Sequence, residues 1–130
     1  MKKLKLTCII DDDPIFVFTT KKLFDFNNYC ESILIYHNGK EALEGLKPII
    51  ESNENVPELI LLDLNMPIMD GWQFLDEFSK LKCNKKIVLY IVSSSIDPVD
   101  IERAKTYREV SNYIIKPITR ESLAQIIDSF

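Results

Sequence analysis

The sequence predicts an α/β fold, a doubly wound sheet of five parallel strands with five helices on both of its faces. Three observations predict it. Short apolar runs alternate five times with longer segments of helical period. The apolar runs mostly lack polar alternation, which is typical of parallel strands covered on both faces. The chain has 130 residues, 46% of them hydrophobic and 28% charged, so one globular domain over residues 1–130 is expected.

The predicted strands are the five apolar runs. They are Leu4–Ile10, Ser32–Tyr36, Leu59–Leu62, Ile87–Val92 and Tyr113–Ile115. The longest apolar run, 87–92, has six residues, whereas a membrane span needs roughly 20. A cytoplasmic location and no membrane partner are therefore expected.

The predicted helices lie between and after these strands. Asp13 is the expected N-cap of the first helix, because Pro14 suits the first helical position. Pro48 is expected to kink the second helix or to end it early. Strand–helix–strand order requires right-handed crossovers and hence a parallel sheet. The five helices are Pro14–Asn27, Gly39–Asn53, Gly71–Lys82, Pro98–Tyr107 and Arg120–Ser129.

Charge and cysteine content exclude several classes of function. Sixteen basic and twenty acidic side chains leave a net charge of −4, which disfavours a nucleic-acid partner. Cys8, Cys30 and Cys83 are far apart and form no CxxC pair, so free thiols in a reducing compartment are expected. His37 is the single histidine and is interpreted as a solvated loop residue.

Polar side chains follow the predicted strands at their carboxyl ends. Asp11 and Asp12 follow the first strand, and Asp63 follows the third. Ser93 closes the fourth strand and Lys116 follows the fifth. Ligands bind at this edge of open α/β sheets. If the strand order is 2-1-3-4-5, these side chains share one crevice.

Such a crevice requires a cation. Three carboxylates within about 4 Å of one another repel by roughly 4 kcal/mol per pair at an effective dielectric constant of 20. One lysine does not offset that repulsion. Oxygen ligands without clustered His or Cys favour a hard ion, and Mg²⁺ is the expected one. A carboxylate beside a metal ion, a lysine and a hydroxyl group suits phosphoryl transfer.

Four sequence blocks extend from the ends of the predicted strands. They are Ile9-Ile10-Asp11-Asp12-Asp13-Pro14, Leu61-Leu62-Asp63-Leu64-Asn65-Met66-Pro67-Ile68-Met69-Asp70-Gly71, Val92-Ser93-Ser94 and Tyr113-Ile114-Ile115-Lys116-Pro117. Together these blocks resemble the receiver domain of two-component response regulators. The resemblance covers nearly the whole chain, and the second block is long and specific. It implies the flavodoxin-like 2-1-3-4-5 sheet and a stand-alone receiver of the CheY-like type.

The resemblance implies a role for each matching site residue. Asp63 would be the phospho-acceptor, Ser93 would donate a hydrogen bond to the phosphoryl group, and Lys116 would pair with it. Ser93 and Tyr113 would form the switch, with the tyrosine changing rotamer as the serine moves. The Lys116–Pro117 peptide bond would be cis.

The resemblance also implies the metal ligands. Asp12 and Asp63 would bind Mg²⁺ directly, and Asp11 would act more through coordinated water. The backbone carbonyl of Asn65 would complete the protein ligands. The alternative role for Asp11 and Asp12 is N-capping of the first helix. Asp13 is the expected cap, because it immediately precedes Pro14, and this leaves Asp11 and Asp12 for the metal.

The function implied is that of a phosphorelay signalling protein rather than an enzyme with turnover. A sensor histidine kinase or a histidine phosphotransfer protein would donate the phosphoryl group. The output would be a phosphorylation-switched surface near 98–129 that contacts an unknown protein, in a monomer or a weak phosphorylation-dependent dimer. The first helix carries more apolar residues than one buried face needs. The excess is either scattered exposed aromatics or a docking patch for the phosphodonor.

Two other classes remain open. A phosphatase of the haloacid dehalogenase type would also use an aspartyl phosphate, but it needs a second acid where this chain has Asn65. A receiver-like module could bind partners without phosphorylation. Such a module is expected to have lost some of the site residues, yet Asp11, Asp12, Asp63, Ser93 and Lys116 are all present.

Overall fold

The computed structural model describes residues 3–130, so the first two residues of the predicted 1–130 domain lie outside the described part. Strands and helices alternate along the chain, beginning with a strand. The strands are β1 Leu4–Ile10, β2 Cys30–Tyr36, β3 Leu59–Leu62, β4 Val88–Ser93 and β5 Val110–Ile115. The helices are α1 Pro14–Asn27, α2 Gly39–Ser52, α3 Gly71–Phe78, α4 Pro98–Ala104 and α5 Arg120–Asp128.

The strands form one parallel sheet in the order β2-β1-β3-β4-β5, which confirms the predicted order. The chain reverses its winding direction between β1 and β3. Their register pairs Ile10 with Leu62, and the Asp63 N–H donates to the Ile10 carbonyl (2.9 Å). The residues that follow these two strands, Asp11 and Asp63, are therefore held side by side.

Two apolar cores cover the two faces of the sheet. Along β3, Ile60 and Leu62 pack on one face, while Leu59 and Leu61 pack on the other. This alternation follows from the period of two in a strand. The first core includes buried residues of α2, α3 and α4, and the second includes buried residues of α1 and α5. Helices on both faces are thus confirmed.

Polar caps fix where the helices begin. The Asp13 side chain accepts a hydrogen bond from the Ile15 N–H (3.0 Å), which confirms Asp13 as the N-cap of α1. Asp70 and Thr119 each form a capping box at the start of α3 and α5. These caps satisfy backbone donors that have no partner within the helix.

Three strand boundaries differ from the predicted ones. β2 begins at Cys30, where the pairing of Cys30 with Leu4 starts, rather than at Ser32. β5 begins at Val110 rather than Tyr113. Both are edge strands of the sheet. Exposed polar residues are tolerated there, so an apolar run underestimates their length. β4 covers Val88–Ser93, one residue later than predicted at both ends.

Two predicted helices end earlier than expected. α3 ends at Phe78 rather than Lys82, and α4 ends at Ala104 rather than Tyr107. Beyond both ends the hydrogen bonds tighten to the third preceding residue, as in the Tyr107 N–H to Ala104 carbonyl bond (3.2 Å). Such tightened final turns preserve apolar spacing beyond the α-helix proper. At α2 and α5 the ends agree within one residue of the predicted Asn53 and Ser129.

Pro48 lies inside α2, which continues to Ser52, so the expectation that it ends the helix early was wrong. Proline removes one backbone donor and leaves the carbonyl of Glu44 without its helical partner. Both residues are exposed, which leaves that carbonyl open to water.

The three cysteines are free, as predicted; Cys8 and Cys30 are buried and Cys83 is half-buried. None of the helices formed within residues 3–130 has the length and apolar character that a membrane crossing requires.

Candidate functional site

Three carboxylates meet at the carboxyl edge of the sheet. Asp11, Asp12 and Asp63 each offer an oxygen, and these atoms lie within 4.8 Å of one another. Asp11 and Asp63 are buried, whereas Asp12 is exposed. The structure therefore brings together the acids that the sequence placed after β1 and β3.

Asp63 lies at the end of the central strand, with 5% of its surface exposed. The Leu64 N–H donates to its Oδ1 (2.9 Å). Burial and the neighbouring Asp11 carboxylate raise the pKa of Asp63 to about 6. Lys116 and two backbone N–H groups limit this rise. Asp63 is thus ionised at neutral pH, although burial and the Asp11 carboxylate favour its neutral, protonated form.

Asp11 is even more deeply buried, at 1% exposure. Its Oδ1 accepts a hydrogen bond from the Asp13 N–H (2.9 Å), and its Oδ2 lies 2.9 Å from the Lys116 ammonium. Burial raises the pKa of Asp11 above its ordinary value, although these two contacts oppose the shift. Both buried carboxylates therefore favour an added positive charge.

The Lys116 ammonium is the positive group of the site. It lies 2.9 Å from Asp11 Oδ2 and 3.8 Å from Asp63 Oδ2. Its backbone N–H donates to the Ser93 carbonyl (2.8 Å), which joins the ends of β4 and β5. The Lys116–Pro117 peptide bond is cis, as predicted. Within residues 3–130, Lys116 pairs with Asp11 and Asp63, two of the three clustered carboxylates, so this cluster keeps a net negative charge.

The donor set fits a hard divalent cation such as Mg²⁺. All three side chains offer oxygen ligands, and burial raises the pKa values of Asp11 and Asp63. Oxygen ligands of this kind are those that Mg²⁺ prefers. Asn65 is exposed two residues after Asp63; the role of its carbonyl as a ligand stays a prediction.

Gly71 allows α3 to begin directly against the end of β3. A Cβ atom at this position would lie 2.5 Å from the Asp63 carbonyl oxygen and 2.9 Å from the Leu64 Cα. The Gly71 N–H donates to the Leu64 carbonyl (2.9 Å). Only a residue without a side chain permits this approach, which ties the loop after Asp63 to the helix.

Ser93 and Tyr113 are linked through Ser95. The Ser95 N–H donates to Ser93 Oγ (3.2 Å), and the Tyr113 hydroxyl donates to the Ser95 carbonyl (2.9 Å). The Ser95 hydroxyl donates to the Asp100 carboxylate of α4 (2.6 Å). Ser93 is fully buried and Tyr113 is half-buried. The loop after β4 thus connects the edge of the site to α4 and β5.

Sequence reasoning missed two contacts of the site. Phe16 lies beneath Lys116, with the ammonium 4.5 Å from the centre of its ring. Ser95 joins the two predicted switch residues. The apolar pattern of α1 showed an excess of aromatics but not which ring turns inward. His37, by contrast, is exposed and pairs with Glu41 (3.2 Å), in agreement with its interpretation as a loop residue.

The family described as "Response regulator receiver domain" matches residues 7–128 of the chain. The chain is 24% identical over 120 residues to the probable methanogenesis regulatory protein FilR2 of Methanothrix harundinacea, covering 92% of this chain and 77% of that protein. It is 34% identical over 90 residues to the sensor histidine kinase CheAY of Helicobacter pylori, covering 69% of this chain. The chain spans 11% of the length of CheAY and 44% of a similar response regulatory protein of Staphylococcus epidermidis.

Two solved structures of response regulators superpose closely on this chain. A two-component response regulator from Cytophaga hutchinsonii superposes with a TM-score of 0.87 at 28% identity, covering 98% of this chain and 97% of that one. The phosphorylated cyanobacterial phytochrome response regulator RcpA gives a TM-score of 0.78 at 28% identity, covering 96% of this chain and 89% of that one.

Proposed function

The chain belongs to the response regulator receiver family, and from this premise we propose that Asp63 accepts a phosphoryl group in a Mg²⁺-dependent reaction. A sensor histidine kinase or a histidine phosphotransfer protein would be the donor. The observation that carries the proposal is the buried Asp63 carboxylate, set 3.8 Å from the Lys116 ammonium and beside Asp11 and Asp12. The phosphorylated state of the similar regulator RcpA supports it.

In the proposed reaction, a carboxylate oxygen of Asp63 attacks phosphorus. A bond from oxygen to phosphorus forms, and the bond from phosphorus to the imidazole nitrogen of the donor breaks, so the imidazole leaves. The Lys116 ammonium balances negative charge on the phosphoryl oxygens, and the Ser93 hydroxyl donates a hydrogen bond to them. A Mg²⁺ ion would be held by Asp11, Asp12, Asp63 and the Asn65 carbonyl, and it would supply further positive charge to stabilise the phosphoryl oxygens.

The reaction is stoichiometric in this proposal, so the chain acts as a phosphorylated signalling protein rather than as an enzyme with turnover. Asn65 occupies the position where a phosphatase of the haloacid dehalogenase type carries its second acid. Water then hydrolyses the aspartyl phosphate at a slower rate. Repeated turnover of a general phosphate ester would contradict this part of the proposal.

We propose that phosphorylation is read out through the face formed by α4, β5 and α5. Movement of Ser93 towards the phosphoryl group would act on Tyr113 through the Ser95 link. Tyr113 also lines a groove of about 340 Å³ between α4 and β5, together with Ile101 and Val110. A local charge change would thereby alter the surface offered to an output protein.

The test is the intact mass of the protein after incubation with acetyl phosphate. The wild type with Mg²⁺ should gain one phosphoryl group, and neither the wild type with EDTA nor Asp63→Ala should do so. Asp25→Ala serves as the matched control, because Asp25 is an exposed acid on α1. It should label like the wild type.

Two further outcomes would overturn the proposal. Labelling that persists in Asp63→Ala would place the phosphoryl group elsewhere. No gain under any condition, together with no response of the buried Trp72 fluorescence to Mg²⁺, would favour a receiver-like module that binds partners without phosphorylation.

A further inference from the structure

We infer that Phe16 is a positioning residue for Lys116, whose ammonium group is held beside the acceptor carboxylate by the face of the Phe16 ring. The inference rests on the proposed phosphoryl acceptance by Asp63. It assigns a function to an aromatic side chain that otherwise counts only as part of the core.

Three contacts define the position of the Lys116 ammonium. It lies 4.5 Å from the centre of the Phe16 ring, 2.9 Å from Asp11 Oδ2 and 3.8 Å from Asp63 Oδ2. An ammonium within about 6 Å of a ring centre is attracted by the negative face of the ring. The Lys116 side chain is 15% exposed, so water screens this attraction only weakly.

The Phe16 ring is itself held in place. Phe16 is 6% exposed and packs in the core that includes Ile118 and Leu123. Its neighbours on the same helical turn, Ile15 and Phe18, are 73% and 62% exposed. Phe16 is therefore the aromatic of this turn that faces inward, and a packed ring offers a fixed surface to the lysine.

The ring and a site carboxylate also belong to one short segment. The Asp13 side chain caps α1, and the Asp13 N–H donates to Asp11 Oδ1 (2.9 Å). The segment 11–16 therefore carries both Asp11 and the Phe16 ring in a defined relation. Lys116, which directly follows β5, contacts both the Asp11 carboxylate and the Phe16 ring.

The Phe16 ring and the site carboxylates interact with the Lys116 ammonium in different ways. A carboxylate accepts hydrogen bonds from the N–H groups of the lysine, whereas a ring face attracts the positive charge of the ammonium without a directed hydrogen bond. Contact with Phe16 therefore leaves N–H donors free for phosphoryl oxygens. If Asp11 shares its charge with a bound cation, its hold on Lys116 weakens, and the ring contact remains.

Replacement of the ring tests the inference against a matched control. Phe16→Leu keeps an apolar side chain but removes the ring, and it should slow labelling by acetyl phosphate by about three- to tenfold. Phe24→Leu is the control, because Phe24 is fully buried on the same helix and its ring contact is with Tyr29. Both variants would be assayed under conditions where urea titration shows them folded.

Phe24→Leu should label at close to the wild-type rate despite its loss of stability. Equal rates for Phe16→Leu and the wild type would overturn the inference and leave the proposed function standing. Equal slowing in both leucine variants would also overturn it, since the effect would then be one of stability alone.

A second measurement does not depend on the reaction. The ε-methylene protons of a lysine above a phenyl ring are shifted upfield in proton NMR spectra. This shift should be present for Lys116 in the wild type and in Phe24→Leu, and it should vanish in Phe16→Leu. Its absence in the wild type would overturn the inference even if no phosphorylation were ever observed.

Fluorinated phenylalanines at position 16 give a test that preserves the shape of the core. Added fluorine atoms withdraw electron density from the ring face, so the labelling rate should fall stepwise from one to three fluorines. A rate independent of fluorine number would contradict a role for the ring charge. This series keeps the inference testable if Phe16→Leu does not fold.

Discussion

Asp63 carries a charge that the folded protein disfavours when no cation is bound. Burial and Asp11 raise its pKa to about 6, whereas in the unfolded chain a value near 3.9 is expected. Keeping the carboxylate ionised at pH 7 therefore costs free energy of folding. Because the pKa of Asp63 is raised in the folded state, the folded protein binds a proton at this carboxyl more tightly than the unfolded chain does. The stabilisation from this protonation is complete below pH 4 and is lost as the pH rises through 6.

Asp63→Asn should accordingly stabilise the metal-free protein at pH 7.5 by about 1–3 kcal/mol. The gain should shrink as the pH falls from 6 to 4, because the folded wild type then takes up a proton at Asp63. Urea unfolding in EDTA at several pH values measures both effects. A constant difference between the two proteins over this range would contradict the raised pKa.

Ile68 holds a strained backbone conformation in the loop after Asp63. Its φ of 70° lies in the left-handed region, which is a genuine outlier for a β-branched residue. The side chain is 76% exposed, so little packing is lost when it is replaced. Asn tolerates the left-handed region far better.

Ile68→Asn should therefore stabilise the protein by about 1 kcal/mol in urea unfolding. Ile96→Asn is the matched control, because Ile96 is 72% exposed and is not among the residues with positive φ. That control should change stability by no more than about 0.5 kcal/mol. An equal gain in both variants would assign the effect to surface hydrophobicity rather than to backbone strain.

Site residues were predictable from sequence where their position depends on a strand end. Asp11, Asp63 and Lys116 each follow a strand directly, so the sheet topology alone brings them together. The contact of Phe16 with Lys116 was not predictable, because it depends on which of several adjacent apolar side chains turns inward. The raised pKa of Asp63 likewise depends on burial, which the sequence does not state.

At the scale of elements, α1 presents two different surfaces. Phe16 and Phe24 are buried, whereas Ile15, Phe18 and Phe26 are 73%, 62% and 80% exposed. This confirms that part of its apolar surface faces outward. We keep as a proposal that the exposed end nearest the acid site, with Ile15 and Phe18, docks the phosphodonor protein.

Phe18→Ser should slow phosphoryl transfer from an autophosphorylated histidine kinase at least severalfold, because an exposed aromatic anchor would be lost. Labelling by acetyl phosphate should not change. Phe26→Ser is the control, since Phe26 lies two turns further along α1, about 12 Å from Phe18 along the axis. Equal slowing with both donors, or with both variants, would contradict a docking role at this end of the helix.

Element boundaries were predicted less well than element identity, for two physical reasons. Edge strands carry exposed polar residues, so β2 and β5 extend beyond their apolar runs. Tightened final turns keep the spacing of buried residues, as at Tyr107, whose ring stacks on Trp72 (5.7 Å) although α4 has already ended. Apolar periodicity reports burial, and burial continues where hydrogen-bonding patterns have changed.

At the scale of the whole molecule, the site exists only when the complete sheet is assembled. Its residues come from the ends of β1, β3, β4 and β5, which are separated along the chain by up to about one hundred residues. The strand order that joins them was predictable from the alternation of strands and helices with the motif resemblance. Binding of a cation at this edge should therefore couple to unfolding of the whole domain.

Mg²⁺ should consequently raise the free energy of unfolding by about 1.4 kcal/mol for each tenfold increase in concentration above its dissociation constant. Chemical denaturation at several Mg²⁺ concentrations measures this slope, with NaCl at matched ionic strength as the control for screening. Asp12→Ala should abolish the slope, because it removes a proposed ligand that is exposed and contributes little to the core. Asp25→Ala should retain it.

The Mg²⁺ dependence of the free energy of unfolding should also change with pH. Protons compete with the cation for Asp63, so lowering the pH from 7.5 to 5 should raise the apparent dissociation constant of Mg²⁺ about tenfold, whereas the slope above that constant should not change. A slope that survives in Asp12→Ala, or an apparent dissociation constant that is unchanged at pH 5, would mean that Mg²⁺ acts by general screening. The acids at the end of the sheet would then not be its binding site.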